Sequence, residues 1–259
     1  MIPAKFDYQR AGSAEEAVAL LVQHGDDAKL LAGGHSLLPL MKLRLASPAM
    51  LIDIGRVTDL SYIRDAGDHV AIGALTRHRD LQISDLLQRE VPILAHTASL
   101  VGDPQVRHRG TLGGTVAHGD PASDLPAVVL ALGGTMVATG PKGQREIPAT
   151  DFFTGFLETA LAPDEMLTEI RVPKSPGGWS YQKFNRRAQD WAIVGVAAVS
   201  NGTTGVEQAL AGGASAADAA AVAADGLDPP ADLNASVEYR QHLARVLVRR
   251  ALEEAAAGR

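Results

Sequence analysis

The chain has 259 residues, 46% of them hydrophobic but only 4% aromatic, so its core must be built mainly from Ala, Val, Leu and Ile. Twenty-four Lys and Arg against 30 Asp and Glu leave a net charge of −6 and no extended basic tract, which argues against a nucleic-acid partner. The absence of cysteine excludes disulfides and any iron–sulfur cluster held by this chain's own thiolates.

Residues MIPAKFDYQR show no charged n-region followed by an apolar stretch, and the longest apolar run, Ala192 to Val199, is far too short for a bilayer. A soluble, cytoplasmic protein is the expectation. Ser13-Ala14-Glu15-Glu16 has the form of a capping box, with Ser13 as N-cap and Glu16 reaching back, and predicts a helix to about His24-Gly25. Ala28 to Leu31 reads as a short buried strand that runs into Ala32-Gly33-Gly34-His35-Ser36, with a helix over Leu37 to Leu43 and a second strand over Met50 to Ile54. Residues 1 to about 55 are thus expected to form a small β-α-β unit. From there to about 175 the pattern predicts a strand at Val70 to Gly73, a helix from Thr76, another over Pro92 to Leu100, a glycine loop Thr111-Leu112-Gly113-Gly114-Thr115, and a buried helix Leu125 to Leu132. Strands near Thr135 to Thr139, Gln144 to Ile147 and Met166 to Val172 follow, and Pro173-Lys174-Ser175-Pro176-Gly177-Gly178 is dense enough in breakers to end a domain. Trp179 to Asn185 and Ala192 to Val199 read as paired strands. Residues 209 to 235 are Ala-rich and weakly patterned. A last helix from Ser236 to about Ala256 puts Tyr239, Leu243, Val246 and Leu247 on one face. No internal repeat is present.

A glycine pair at the mouth of a helix lets backbone N–H groups approach phosphate oxygens unobstructed. Gly33-Gly34-His35-Ser36 can do this, although an isolated pair more often reads as a tight turn between strand and helix, and neither glycine loop has GxGxxG or GK[ST] spacing. A nucleotide here requires another fold. The second loop is followed by Gly119-Asp120-Pro121-Ala122-Ser123-Asp124, where Asp124 can either accept from ribityl or ribose hydroxyls or cap the next helix. Eight histidines offer no HExxH and no carboxylate-flanked pair, so no metal site is expected.

AGGHSLLPLMKLRL at 32 to 45, the strand MLIDI, PQVRHRGTLGG at 104 to 114 with GDPASDLPA at 119 to 127, and VEYRQHLARVLVRRAL near the C-terminus together resemble the medium, flavin-binding subunit of the molybdenum hydroxylases, above all its aerobic carbon monoxide dehydrogenase branch. The resemblance spans residues 1 to about 200 and again 236 to 255. It implies an α+β architecture: a PCMH-type FAD-binding fold of two α/β subdomains (1–55 and 56–175) and a smaller C-terminal α+β domain (176–259). By the same resemblance, Ala32, Gly33, Gly34, His35, Ser36 and Leu37, with Thr111, Gly113, Gly114 and Thr115, cradle the FAD diphosphate. Asp124 binds its sugar-alcohol chain, Leu161 touches the isoalloxazine, and Lys183 reaches the ring's polar edge. Taken without the resemblance, Lys183 is equally an exposed strand lysine. Trp191 stands where the carbon monoxide dehydrogenase branch carries a tyrosine near the flavin, and is expected to shield the ring, the alternative being a core tryptophan. Arg186-Arg187 and Arg245, Arg249 and Arg250 read as solvated surface.

The resemblance implies that the molybdenum cofactor lies on a large partner subunit and two [2Fe–2S] clusters on a small one, in a dimer of heterotrimers. Membrane contact, if any, comes through that complex. No residue of this chain is then needed as acid, base or nucleophile. In one respect the sequence departs from the family: Asn201-Gly202-Thr203-Thr204-Gly205 leads almost directly into Glu207-Gln208-Ala209-Leu210, as if one or two strands of the C-terminal domain were missing. Two other readings remain, a free-standing FAD reductase or oxidase and a non-catalytic flavoprotein assembly subunit.

Overall fold

The computed structural model describes residues 2–199 and 213–258. Residues 2–53 build a parallel sheet in the order β1-β3-β2, from β1 (Asp7–Arg10), β2 (Ala28–Leu31) and β3 (Met50–Asp53). β1 adds a strand that the expected β-α-β unit over residues 1 to about 55 did not include. Its residues, DYQR, are all exposed, so no apolar alternation announces the strand, and pairing with β3 alone makes it one. Helix α1 (Ala14–His24) buries Ala17, Val18, Leu20 and Leu21 against this sheet. Ser13 Oγ accepts from Glu16 N as expected, but the Glu16 carboxylate reaches back to Gly12 N, one residue earlier than a standard capping box. Helix α2 (Leu37–Lys42) follows the first glycine loop.

A five-stranded antiparallel sheet comes next, ordered β4-β5-β10-β6-β7, from β4 (Ile63–Asp65), β5 (His69–Gly73), β6 (Thr135–Gly140), β7 (Gly143–Pro148) and β10 (Met166–Pro173). Short helices fill the connection between β5 and β6: α3 (His78–Ile83), α4 (Asp85–Glu90), α5 (Pro92–Ser99), α6 (Pro104–Arg109), α7 (Leu112–His118) and α8 (Asp124–Ala131). The main core lies between these helices and the sheet, with Ile72, Leu81, Ile93, Leu94, Leu112, Leu125, Met136 and Ile170 all closed to solvent. Each such side chain contributes about 1.5–3 kcal/mol of burial. The helix expected from Thr76 begins two residues later, because the Thr76 hydroxyl bonds Tyr62 N and the Tyr62 carbonyl instead. A short α9 (Ala149–Phe152) leads into a hairpin of β8 (Phe153–Gly155) and β9 (Glu158–Thr159), too brief for its alternation to register in the sequence.

Beyond residue 175, β11 (Trp179–Phe184) pairs antiparallel with β12 (Val194–Val199), and the C-terminal helix Val237–Ala256 packs across both. That helix buries Leu243, Leu247, Ala251 and Ala255, whereas Tyr239 stands on its open side with its ring edge toward Phe184. The small alanines let it approach closely: a Cβ on Gly178 would collide with the Ala255 carbonyl. Ser180 and Gln182 donate to the Glu254 carboxylate, fixing the helix to β11. The expected loss of strands after Val199 falls on residues 200–212, outside the described residues. No helix among the described residues is long and apolar enough to cross a membrane.

Candidate functional site

The C-terminal end of β2 runs into Ala32–Ser36, beside Gly55 at the end of β3, the place where open parallel sheets receive ligands. A Cβ on Gly33 would stand 2.2 Å from the Arg109 carbonyl oxygen and 3.0 Å from Gly110 Cα, so the first glycine loop is pressed onto the residues that lead into the second. Gly34 has φ +78°, a conformation other residues reach only with strain. Among the described residues, the N–H groups of Gly33, Gly34, His35 and Ser36 donate to no protein atom. Consecutive free donors with no Cβ over them suit a diphosphate, which needs hydrogen bonds to several oxygens at once.

The second glycine segment, expected as a loop, instead forms the first turn of α7 with Thr111 as its N-cap, and it is used differently. Leu112 N donates to Thr76 O (3.0 Å), Gly113 N to Ala74 O (2.8 Å), Gly114 N to Thr111 Oγ1 (3.1 Å) and Thr115 N to Thr111 O (3.1 Å). A Cβ on Gly113 would lie 2.5 Å from Ala74 Cβ, so this glycine exists for close packing on the 74–76 segment. What the loop leaves free among the described residues is the Thr111 N–H and the Thr115 hydroxyl. An antiparallel bridge, Arg77 to Thr111, ties the same segment to the loop.

Basic side chains gather at this junction. His78 is buried, with Nδ1 unbonded, and burial first, then the charges of His35, Arg77 and Arg107, push its pKa down to about 4. Arg77 lies beside Arg109 and donates to the Arg109 carbonyl.

Asp124 and Lys183 meet about one point. The Asp124 carboxylate accepts from Lys183 Nζ (2.9 Å) and from Tyr181 Oη (2.7 Å), and Lys183 also donates to Leu100 O (3.1 Å). Both ion-pair side chains are only 8% exposed, so neither the helix-capping role for Asp124 nor the exposed-lysine reading of Lys183 describes them. Helix α8 starts at Asp124 with Ser123 as N-cap, and the carboxylate turns inward to the pair. Burial and the Asp124 charge raise the Tyr181 pKa, keeping the phenol a donor. Tyr181 and Lys183 sit two apart on β11 and so share a face, a period-two signal legible in the sequence. Gly195, opposite Lys183 on β12, leaves space for the phenol: a Cβ there would be 2.8 Å from Tyr181 Oη.

The remaining candidates are separate from these contacts. Leu37 opens α2 half-buried, and Leu161 is half-buried against the main core between β9 and β10. Trp191 is 60% exposed on the loop between β11 and β12, which removes the core-tryptophan alternative. Arg77 and Tyr181 were not singled out from the sequence, since an arginine after a helix-start threonine and a tyrosine in a strand are ordinary there.

Residues 4–175 match the family described as the FAD binding domain in molybdopterin dehydrogenase, and residues 202–255 match the CO dehydrogenase flavoprotein C-terminal domain. The chain is 44% identical to the carbon monoxide dehydrogenase medium chain of Hydrogenophaga pseudoflava, covering 98% of both, and 38% identical to the 6-hydroxypseudooxynicotine dehydrogenase complex subunit alpha of Paenarthrobacter nicotinovorans, covering 98% of this chain and 96% of the relative. A solved carbon monoxide dehydrogenase from Hydrogenophaga pseudoflava superposes with a TM-score of 0.93 at 42% identity, covering 99% of each chain. The alignment with the first relative runs over 282 positions, more than the 259 residues here, so this chain carries fewer residues over the same span. Matches of this extent, on a chain whose first glycine loop presents free donors against the approach to the second, place it in the FAD-binding medium-subunit family of the molybdenum hydroxylases.

Proposed function

We propose that the chain is the FAD-carrying electron-transfer subunit of a carbon monoxide dehydrogenase-like molybdenum hydroxylase, taking electrons from [2Fe–2S] clusters on a small partner and passing them to a terminal acceptor, while a large partner holds the molybdenum cofactor. The observation that carries this reading is the convergence of Gly33 on Arg109–Gly110, where the N–H groups from Gly33 to Ser36 have no protein acceptor among the described residues. FAD, when bound, supplies the redox chemistry, and the protein supplies position, electrostatics and exclusion of side reactions. Ala32 to Leu37 hold the diphosphate from one side; Thr111 and Thr115 offer an N–H and a hydroxyl from the other, at the N-terminus of α7, whose first turn holds Gly113 and Gly114. The Asp124–Lys183 pair, bonded to Tyr181 and Leu100, fixes the C-terminal sheet against the middle of the chain where the sugar-alcohol chain and ring are to lie. Leu161 packs on the ring and Trp191 governs access to it.

This reading divides the chain at about residues 55 and 175 into two FAD-binding subdomains and a C-terminal domain. It places the protein in the cytoplasm, within a dimer of heterotrimers that reaches the membrane face only through the complex. The test is co-expression with the two partner subunits, followed by metal and flavin analysis and addition of substrate under anaerobic conditions. Bleaching of the flavin in the assembled complex supports the reading; an active single polypeptide would replace it with a free-standing flavin enzyme.

A further inference from the structure

Arg77 belongs to neither glycine motif, yet it stands at their meeting point. Its backbone bridges to Thr111, held by His78 N to Gly110 O and Leu112 N to Thr76 O at 3.0 Å each. Its guanidinium donates through one Nη to the Arg109 carbonyl, the same oxygen that a Cβ on Gly33 would strike at 2.2 Å. Gly33 Cα and the Arg77 guanidinium therefore flank a single carbonyl, and the free N–H groups of Gly33 to Ser36 begin there.

The other guanidinium donors of Arg77 have no partner among the described residues, and no carboxylate forms an ion pair with it. The nearby Asp53 carboxylate accepts from Tyr8 Oη and Gly55 N, and Asp53 and Asp80 reach Arg77 only through their charge. A half-buried cation beside a second arginine, with the Asp80 and Asp53 charges acting only at a distance and no carboxylate in contact, is held at a net cost in desolvation and repulsion. A dianion in the junction removes both penalties, and the planar fork of an arginine matches phosphate oxygens well.

We propose that Arg77 is a third diphosphate-binding element, clamping the FAD phosphates against the Gly33–Ser36 backbone from the side opposite β2. The proposal rests on the FAD reading above and adds to it a residue outside both glycine loops. Arg77→Gln removes the charge and the fork and shortens the side chain, whereas Arg77→Lys keeps the charge and loses the fork. The flavin-free full-length chain is titrated with FAD and, separately, with riboflavin, which has the ring and ribityl chain but no phosphate. Arg77→Gln is expected to raise the FAD Kd at least about tenfold, Arg77→Lys by less, and neither to change the riboflavin Kd. The salt dependence of FAD binding should also become shallower in Arg77→Gln. An FAD Kd unmoved by Arg77→Gln, or riboflavin weakened as much as FAD, overturns the clamp while leaving the FAD reading in place. A wild-type chain that takes up no FAD overturns both.

Discussion

Gly33→Ala is the most direct perturbation of the junction. The new methyl would sit 2.2 Å from the Arg109 carbonyl oxygen and 2.8 Å from its carbon, where ordinary contact begins at 3.4 Å, and both atoms are backbone that cannot rotate aside. The two segments must part by about 1 Å, an overpacking cost of roughly 1–3 kcal/mol. For a chain of this size that lowers Tm by roughly 2–4 °C per kcal/mol. Parting the segments also moves the Gly33–Ser36 donors away from whatever the opposite side holds, and losing one or two charge-assisted bonds at about 1.5–3 kcal/mol each raises the FAD Kd tenfold or more. Gly133→Ala is the control, because Gly133 has φ +65° with nothing within 4 Å of an added Cβ. It should cost about 1–2 kcal/mol in backbone strain and leave the flavin alone. The assay is flavin content by absorbance, FAD Kd by fluorescence quenching, and thermal melting of both variants. If Gly33→Ala behaves like Gly133→Ala, losing stability but keeping wild-type FAD affinity, the two glycine segments do not share a ligand.

The buried pair gives a second expectation: Lys183→Met strands the Asp124 carboxylate and should cost about 3–5 kcal/mol in urea melts, with most of it recovered by adding Asp124→Leu. Tyr181→Phe removes one bond to the same carboxylate and should cost about 1.5–3 kcal/mol; a loss no larger than that of a surface substitution would count against the triad. His78 makes the flavin-free chain acid-sensitive. Its folded pKa, about 4, lies below the ordinary 6.5, so the unfolded chain binds more protons between those values; the stabilisation is full above pH 6.5 and falls by roughly 3 kcal/mol as the pH drops to 4, a slope that His78→Gln should flatten in denaturation series. Trp191→Ala, at an exposed position, should change stability by no more than about 0.5 kcal/mol yet alter flavin fluorescence or reactivity with oxidants; unchanged optical and kinetic behaviour would remove the tryptophan from the flavin face.

Where local chemistry decides an element, the sequence by itself determined it. Ser13 caps the helix it was expected to cap, the last helix starts beside the expected Ser236, the apolar runs at 28–31, 70–73 and 166–172 became strands, and the first glycine loop falls where β2 gives way to α2. The lack of cysteine likewise settled that no cluster can hang on this chain's thiolates. Pairing across distance was beyond it. β1 is a strand only because β3 offers an edge, and Asp124 abandons its helix end only because Lys183 and Tyr181 arrive from 57 to 59 residues away. The two diglycine pairs look alike in the sequence but act differently: the first leaves its N–H groups open, and the second consumes them on Thr111, Ala74 and Thr76. A donor's partner is fixed by whichever acceptor the chain fold brings within about 3 Å, and that neighbour is not written in the residues on either side.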